Sequence, residues 1–245
     1  MAQIKIYAGR GCCGPENTAA AFKAAFDAGA DAAVCDIRRT ADGQFVAFRD
    51  AGTGRLCGRD WQIAATEWGH LKTLRVAGRE RIAHLDDLLN LLILNPSGEF
   101  FFRPHGGVEA EAVELALQIA KAGVQDRVFF TTGPCRKHLL AAARNAVPGL
   151  GAAVAPKCNY GLLDKAWKAG ASRVVTGWKG GCLSREAFYL GASFFDLKTQ
   201  ADEAEAAGIE ISAGPASHPR DVRRLKEIGA RAVWTTDVEM AAKYV

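Results

Sequence analysis

Short apolar runs alternate with helical patterns along almost the whole chain. "IKIYA" (4–8) and "DAAVCDIR" (31–38) have the length and composition of buried strands. Between them, "PENTAAAFKAAFDAGA" (15–30) predicts a helix, with Pro15 near its start and Gly29 at its end. Phe22 and Phe26 stand four apart and share one face of it. "TADG" (40–43) is a tight turn, and "QFVAFRD" (44–50) returns as a hairpin partner. Residues 51–82 show no regular period; with five glycines and many arginines they read as an excursion from the core. "LDDLLNLLIL" (85–94) predicts a core helix, since ten residues are too few to cross a bilayer. Strands are then expected at 99–103, 127–132, 150–155, 173–177, 209–213 and 231–235. Helices are expected at 109–122, 136–145, 161–169, 201–207 and 219–228.

Setting the hairpin aside, eight strands alternate with helices. That order predicts an α/β fold, a (β/α)8 TIM barrel with a hairpin and an excursion after strand 2. No linker or composition break divides residues 1–245, so a single domain is expected. A doubly wound sheet is the alternative; no G-x-G-x-x-G follows the first strand, which counts against its dinucleotide-binding form.

Composition narrows the function. With 49% hydrophobic residues the chain can bury a sizeable core. The net charge of +4 is mild and scattered, which argues against nucleic acid and leaves room for a small anionic partner where arginines converge. Seven cysteines, an odd number without C-x-x-C, fit a reduced cytoplasmic interior better than a disulfide scaffold or a zinc site. No apolar run is long enough for a membrane span, and the start lacks a signal-peptide pattern. The expected protein is soluble and cytoplasmic. Nothing in the sequence sets its oligomeric state.

The stretches "GRG…PENTAAAFKAAFDAGAD…CDIRRTADGQFVAFRD" and "AGIEISAGPASHPRDVRRLKEIGARAVWTTDVEMA" (207–241) carry more than a fold. They resemble the two ends of the glycerophosphodiester phosphodiesterases. Residues 51–206 match only in strand–helix order. The resemblance implies two histidines as acid and base, and two glutamates and an aspartate holding a divalent metal on the phosphodiester. Carried over position by position, the first histidine falls on Gly9 and the second on Arg49, followed by a retained Asp50. The paired acids of the second strand fall on Val34 and Asp36, the third acid on Phe101, and a lysine on Arg103. An expected tryptophan falls on Gly214, and the first loop is about two residues short. The scaffold is kept; its histidines and most of its metal ligands are gone. No metal and no cofactor is expected.

What remains is cationic. Arg10, Arg49 and Arg103 are placed at strand ends on the C-terminal face, where this fold builds its sites. A guanidinium stays charged and can grip phosphate or carboxylate with two hydrogen bonds. Arg10, Asp36, Arg49, Asp50, Arg103 and Lys157 form the candidate ligand-binding set, with Lys179 a further cation. The plainer reading is that the arginines only pair with Asp36, Asp50 and Glu16. His105 and His218 follow strands on the same face and are the speculative catalytic pair; a helix cap or a solvent-facing imidazole is the plainer role. Cys12, Cys13 and Cys35 lie near the mouth but need an electropositive setting to react, and Cys35 should point outward if Asp36 points in. His70, His84 and His138 carry no assigned chemistry.

Three readings follow: an inactive relative that binds an anionic ligand, phosphorylated ones included; a metal-independent enzyme acting on a phosphodiester or another charged substrate; or an interaction scaffold that keeps only the barrel.

Overall fold

A computed structural model of the chain describes residues 4–133, 136–178 and 182–245. In chain order, β1 (Lys5–Gly9), α1 (Ala19–Asp27), β2 (Ala32–Arg39) and β3 (Phe45–Ala47) come first. The excursion holds α2 (Gly54–Cys57), α3 (Trp68–Leu71) and the small hairpin β4 (Arg75–Val76) and β5 (Glu80–Arg81). Next are α4 (Leu85–Leu94), β6 (Glu99–Pro104), α5 (Glu109–Lys121), β7 (Val128–Thr132), α6 (Lys137–Ala146) and β8 (Gly151–Val154). The chain closes with α7 (Leu162–Ala169), β9 (Arg173–Gly177), α8 (Cys182–Phe194), α9 (Leu197–Ala206), β10 (Glu210–Ala216), α10 (Pro219–Glu227), β11 (Ala232–Thr235) and α11 (Val238–Ala242).

β1 pairs in parallel with both β2 and β11, so the sheet closes on itself as a (β/α)8 barrel. β3 adds to β2 in antiparallel fashion, as the hairpin pattern predicts. Among the described residues, no helix is long and apolar enough to cross a membrane.

The period-2 alternation of the strands sorts side chains between two cores. Cys35, Phe100, Phe102 and Phe130 face the helices. Tyr7, Val34, Phe101, Phe129 and Trp234 fill the barrel itself. Phe101 is the hub of this plug, with its ring centroid 5.0 Å from Tyr7 and 5.1 Å from both Phe129 and Trp234. Below the plug the interior is ionic and balanced. Lys5 and Arg173 meet Glu99 and Glu210, at 3.1 Å for Lys5–Glu210 and 3.3 Å for Arg173–Glu210. The Tyr7 hydroxyl donates to Glu210 and ties plug to floor. Burial pushes the Glu99 carboxyl above its usual range.

Two expectations need correction. The first helix starts at Ala19 and not near Pro15, because Asn17 takes a left-handed φ of 58° that no helix continues through. Thr18 then caps the helix, its hydroxyl accepting from Ala21 N at 3.2 Å. Secondly, α8 lies where no helix is expected, and α9 begins four residues before the expected 201. The pattern of α8 misleads because it is apolar on more than one face, so no single stripe stands out.

The plug makes a stability prediction. Phe101→Ala should cost about 3–5 kcal/mol in urea unfolding, as large core truncations do. Leu94→Ala, at a side chain 77% exposed, should stay within about 0.5 kcal/mol.

Candidate functional site

Above the plug, two strand positions decide the mouth. In the parallel register Val34 stands beside Phe101, and Asp36 beside Arg103. Asp36 has no exposed surface, so its charge must be matched by neighbours. Arg10 Nε lies 3.4 Å from its Oδ2, and Arg103 Nη1 lies 3.6 Å from its Oδ1. His105 Nε2 donates to Oδ1 at 2.7 Å. Asn17 holds the other side: its Oδ1 accepts from Asp36 N at 2.9 Å, and its Nδ2 donates to Oδ2 at 3.4 Å. Burial alone would raise the Asp36 carboxyl; the His105 hydrogen bond, then Arg103 and Arg10, more than offset it, and the group ends below the usual carboxylate range.

The first loop is bent to make this arrangement. Arg10 has a left-handed φ of 53° and Asn17 one of 58°, and Asn17 N donates to Arg10 O at 3.0 Å to close the loop. A non-glycine residue in this region costs on the order of 1–3 kcal/mol, and such residues gather at functional sites. Gly9, by contrast, is not forced by crowding: a Cβ there would stand 3.4 Å from Thr235 O. Gly214 is forced, since a Cβ would fall 2.5 Å from Trp234 O, which leaves no place for a tryptophan.

Around Asp36 the cations outnumber the anions. Arg10 also meets Glu16 at 3.1 Å. Glu16 and Asp50 are shared by Arg55, whose Nε lies 2.6 Å from Asp50 Oδ2. Arg38 donates twice to the carbonyl of Arg49, at 2.9 and 2.6 Å. Arg49 itself is exposed, and no carboxylate among the described residues lies within ion-pair distance of it. Arg103 is held below the usual arginine value by burial first, and then by Arg10 and Arg49, against the pull of Asp36. Arg10, Arg55 and Arg103 thus share three carboxylates, while Arg38 and the exposed Arg49 have no carboxylate within ion-pair distance among the described residues.

The expected set is therefore only partly gathered. Arg10, Asp36 and Arg103 meet directly, and Arg49 joins them through its charge. Asp50 pairs with Arg55 and not with Arg49. Lys157 is exposed in the loop after β8 and makes no ion pair with this group. Lys179 lies outside the described residues. His105 is not a cap and does not face solvent; its backbone N–H donates to Ile37 O at 2.9 Å, and the ring turns onto Asp36. His218 is exposed at the start of α10, where its side chain makes no capping hydrogen bond. Cys35 points away from the mouth, and its thiol is pushed well up by burial. Cys12 is pushed up to about 12 by burial and by the neighbouring Cys13, so Arg10 does not activate it.

Arg38, Arg55 and Asn17 are participants that sequence reasoning missed. Asn17 could have been found, because asparagine is enriched among the non-glycine residues that take a left-handed conformation. Arg55 carries no local signal, because the excursion is folded over the mouth by its own apolar cluster of Val46, Phe48, Ile63, Leu71 and Val76.

Residues 9–127 match the model of the glycerophosphoryl diester phosphodiesterase family. Through this segment, just under half of its length, the chain is similar to the glycerophosphodiester phosphodiesterases. A curated relative, the uncharacterized protein YqiK of Bacillus subtilis, is 28% identical over 142 residues. That match covers 52% of this chain and 57% of the relative, so the chain spans little more than half of the curated protein it matches. The barrel is similar to that of a phosphodiesterase from Oleispira antarctica solved with the product sn-glycerol-3-phosphate. The TM-score is 0.78 at 19% identity, over 98% of this chain and 96% of that one. A putative glycerophosphodiester phosphodiesterase from Galdieria sulphuraria superposes with TM-score 0.81 at 16% identity, over 99% and 98% of the two chains. A Thermotoga maritima glycerophosphodiester phosphodiesterase gives 0.73 at 20%, over 99% of each.

The divalent metal that this family implies does not fit the residues present. Two of the three acid positions are Val34 and Phe101, both within the apolar plug. The remaining carboxylate, Asp36, is already held by two guanidinium groups and an imidazole. Among the described residues, no three His, Cys, Asp or Glu side chains are grouped to hold a metal ion. Hard cations want several oxygen ligands, and this mouth offers guanidinium groups in their place.

Asp36 gives a pH prediction. Its folded value lies below the unfolded value of about 3.9, so its contribution is complete above that pH and is lost as pH falls through the folded value. Asp36→Asn should lower stability at neutral pH by about 1–3 kcal/mol. Urea titrations should show the difference from wild type shrinking in acid below about pH 4.

Proposed function

We propose that this protein, as one barrel domain in the reducing cytoplasm, binds a small anionic ligand of the phosphate-ester class at its mouth, without a metal. We further propose that it does not hydrolyse glycerophosphodiesters at an appreciable rate. The observation that carries the reading is the surplus of guanidinium groups around Asp36, with Arg49 exposed and without a carboxylate. Cations crowded at partly buried positions repel one another, and a bound anion relieves that cost. Arginine in place of a histidine and a lysine supplies fixed positive charge where the family resemblance implies a metal. The Oleispira relative, solved with an anionic phosphate ester, supports the ligand class.

Loss of hydrolysis follows from residue types. Gly9 cannot transfer a proton, and Arg49 keeps its own. General acid–base help, worth roughly 10²–10⁴-fold per group, is therefore absent at both positions.

One observation favours a second reading, a metal-independent enzyme. The His105–Asp36 pair, 2.7 Å apart, has the form of a base oriented by a buried carboxylate. If it works, His105→Gln abolishes turnover of a charged substrate and leaves binding nearly intact.

Thermal shift with inorganic phosphate, glycerol 3-phosphate and glycerophosphodiesters, with and without Mg²⁺, Ca²⁺ and chelator, tests the main reading. Stabilisation should appear with the anions and be indifferent to metal. Arg49→Ala and Arg103→Ala should each weaken binding by about 1–3 kcal/mol. Release of glycerol 3-phosphate should stay at background, and Gly9→His with Arg49→His should not restore it. Metal-stimulated release abolished by chelator contradicts the proposal, and the absence of any shift favours an interaction scaffold.

A further inference from the structure

α8 is apolar on two faces. On one, Phe188, Tyr189 and Ala192 are buried against the barrel, and Arg185 Nη1 lies 3.6 Å from the buried Asp221. On the other, Leu183, Ala187, Leu190 and Phe194 follow one another at steps of four, three and four, and all are exposed. The three large ones are 85%, 73% and 83% exposed. The patch continues past the helix: Phe194 and Phe195 have ring centroids 5.0 Å apart, and Tyr160, itself 66% exposed, lies 5.6 Å from Phe195. Single exposed leucines are ordinary, but a contiguous apolar patch marks a contact surface. A helix that is apolar all round is normally enclosed.

We propose that this face joins a second copy of the chain, α8 packing antiparallel on α8 about a two-fold axis. The 4-3-4 spacing is that of a coiled-coil seam, and it is its own complement when reversed. A register that sets Leu183 opposite Phe194 of the copy also sets Ala187 opposite Leu190, so small meets large along the seam. In that register Arg185 and Glu186 fall opposite Ala192 and Gly191, and no like charges face each other. The exposed aromatic and leucine side chains together offer on the order of 600 Å². A standard interface takes about 800 Å² per partner, so rim residues complete the area. A membrane surface is the weaker occupant. Interfacial helices carry lysine and arginine along their polar border, whereas α8 has one arginine and one glutamate, and Arg185 is engaged with Glu186 and Asp221.

Sedimentation velocity on the full chain, from sub-micromolar to tens of micromolar, tests the proposal. Wild type should run as a dimer. Leu190→Glu should raise the dissociation constant about 30-fold or more, with circular dichroism unchanged and a cooperative melt retained. Adding Ala187→Lys to Leu190→Glu should recover most of the loss, because the two positions face each other across the seam. A wild type that stays monomeric over this range overturns the proposal, as does a double variant no tighter than the single one. So does a monomer that sediments with phosphatidylcholine–phosphatidylserine vesicles through this face.

Discussion

Asp36 carries its charge where water does not reach it, and a bare carboxylate there would cost several kcal/mol. Everything at the mouth is arranged around meeting that cost. Asn17 is turned into a left-handed conformation to donate to it and to accept from its backbone. Arg10 takes a similar conformation at the end of β1. Arg103 reaches it from the neighbouring position of the next strand, and His105 from two residues further on. In a metal-binding barrel of this type the cation at this place would be an ion. Here it is a ring of side chains, and these cannot leave.

The two ends of the barrel interior differ in their charge balance. At the floor two cations meet two carboxylates, and Tyr7 joins them, so the charges balance. The plug of Tyr7, Phe101, Phe129 and Trp234 separates it from the mouth. At the mouth Glu16, Asp36 and Asp50 are outnumbered by arginines, and Arg38 and the exposed Arg49 have no carboxylate within ion-pair distance among the described residues. A balanced ionic set holds a structure together; an unbalanced, partly exposed one is an invitation to a ligand of opposite sign.

Much of this was legible in the residues. The strands followed from short apolar runs, and the two-residue alternation placed Asp36 inward and Cys35 outward. Val34 and Phe101 could be recognised as apolar at positions where the family resemblance implies acids, and they proved to be part of one plug. The convergence of Arg10 and Arg103 followed from strand order. What was not legible depended on long-range packing. Arg55 comes to Glu16 and Asp50 only because a separate apolar cluster docks the excursion over β3. His105 turns inward because its backbone extends the pairing of β6 with β2. α8 was hidden because amphipathic contrast, the usual signal of a surface helix, is absent from a helix with two apolar faces.

The central claim is that fixed cationic side chains occupy the role of the metal. Anomalous diffraction from crystals soaked separately in selenate and in Mn²⁺ tests it most directly. The account predicts a selenate peak between Arg10, Arg49 and Arg103, weakened in Arg49→Ala, and no manganese peak beside Asp36. A manganese ion coordinated by Asp36 and two further protein oxygens, with no anion over the arginines, would contradict it.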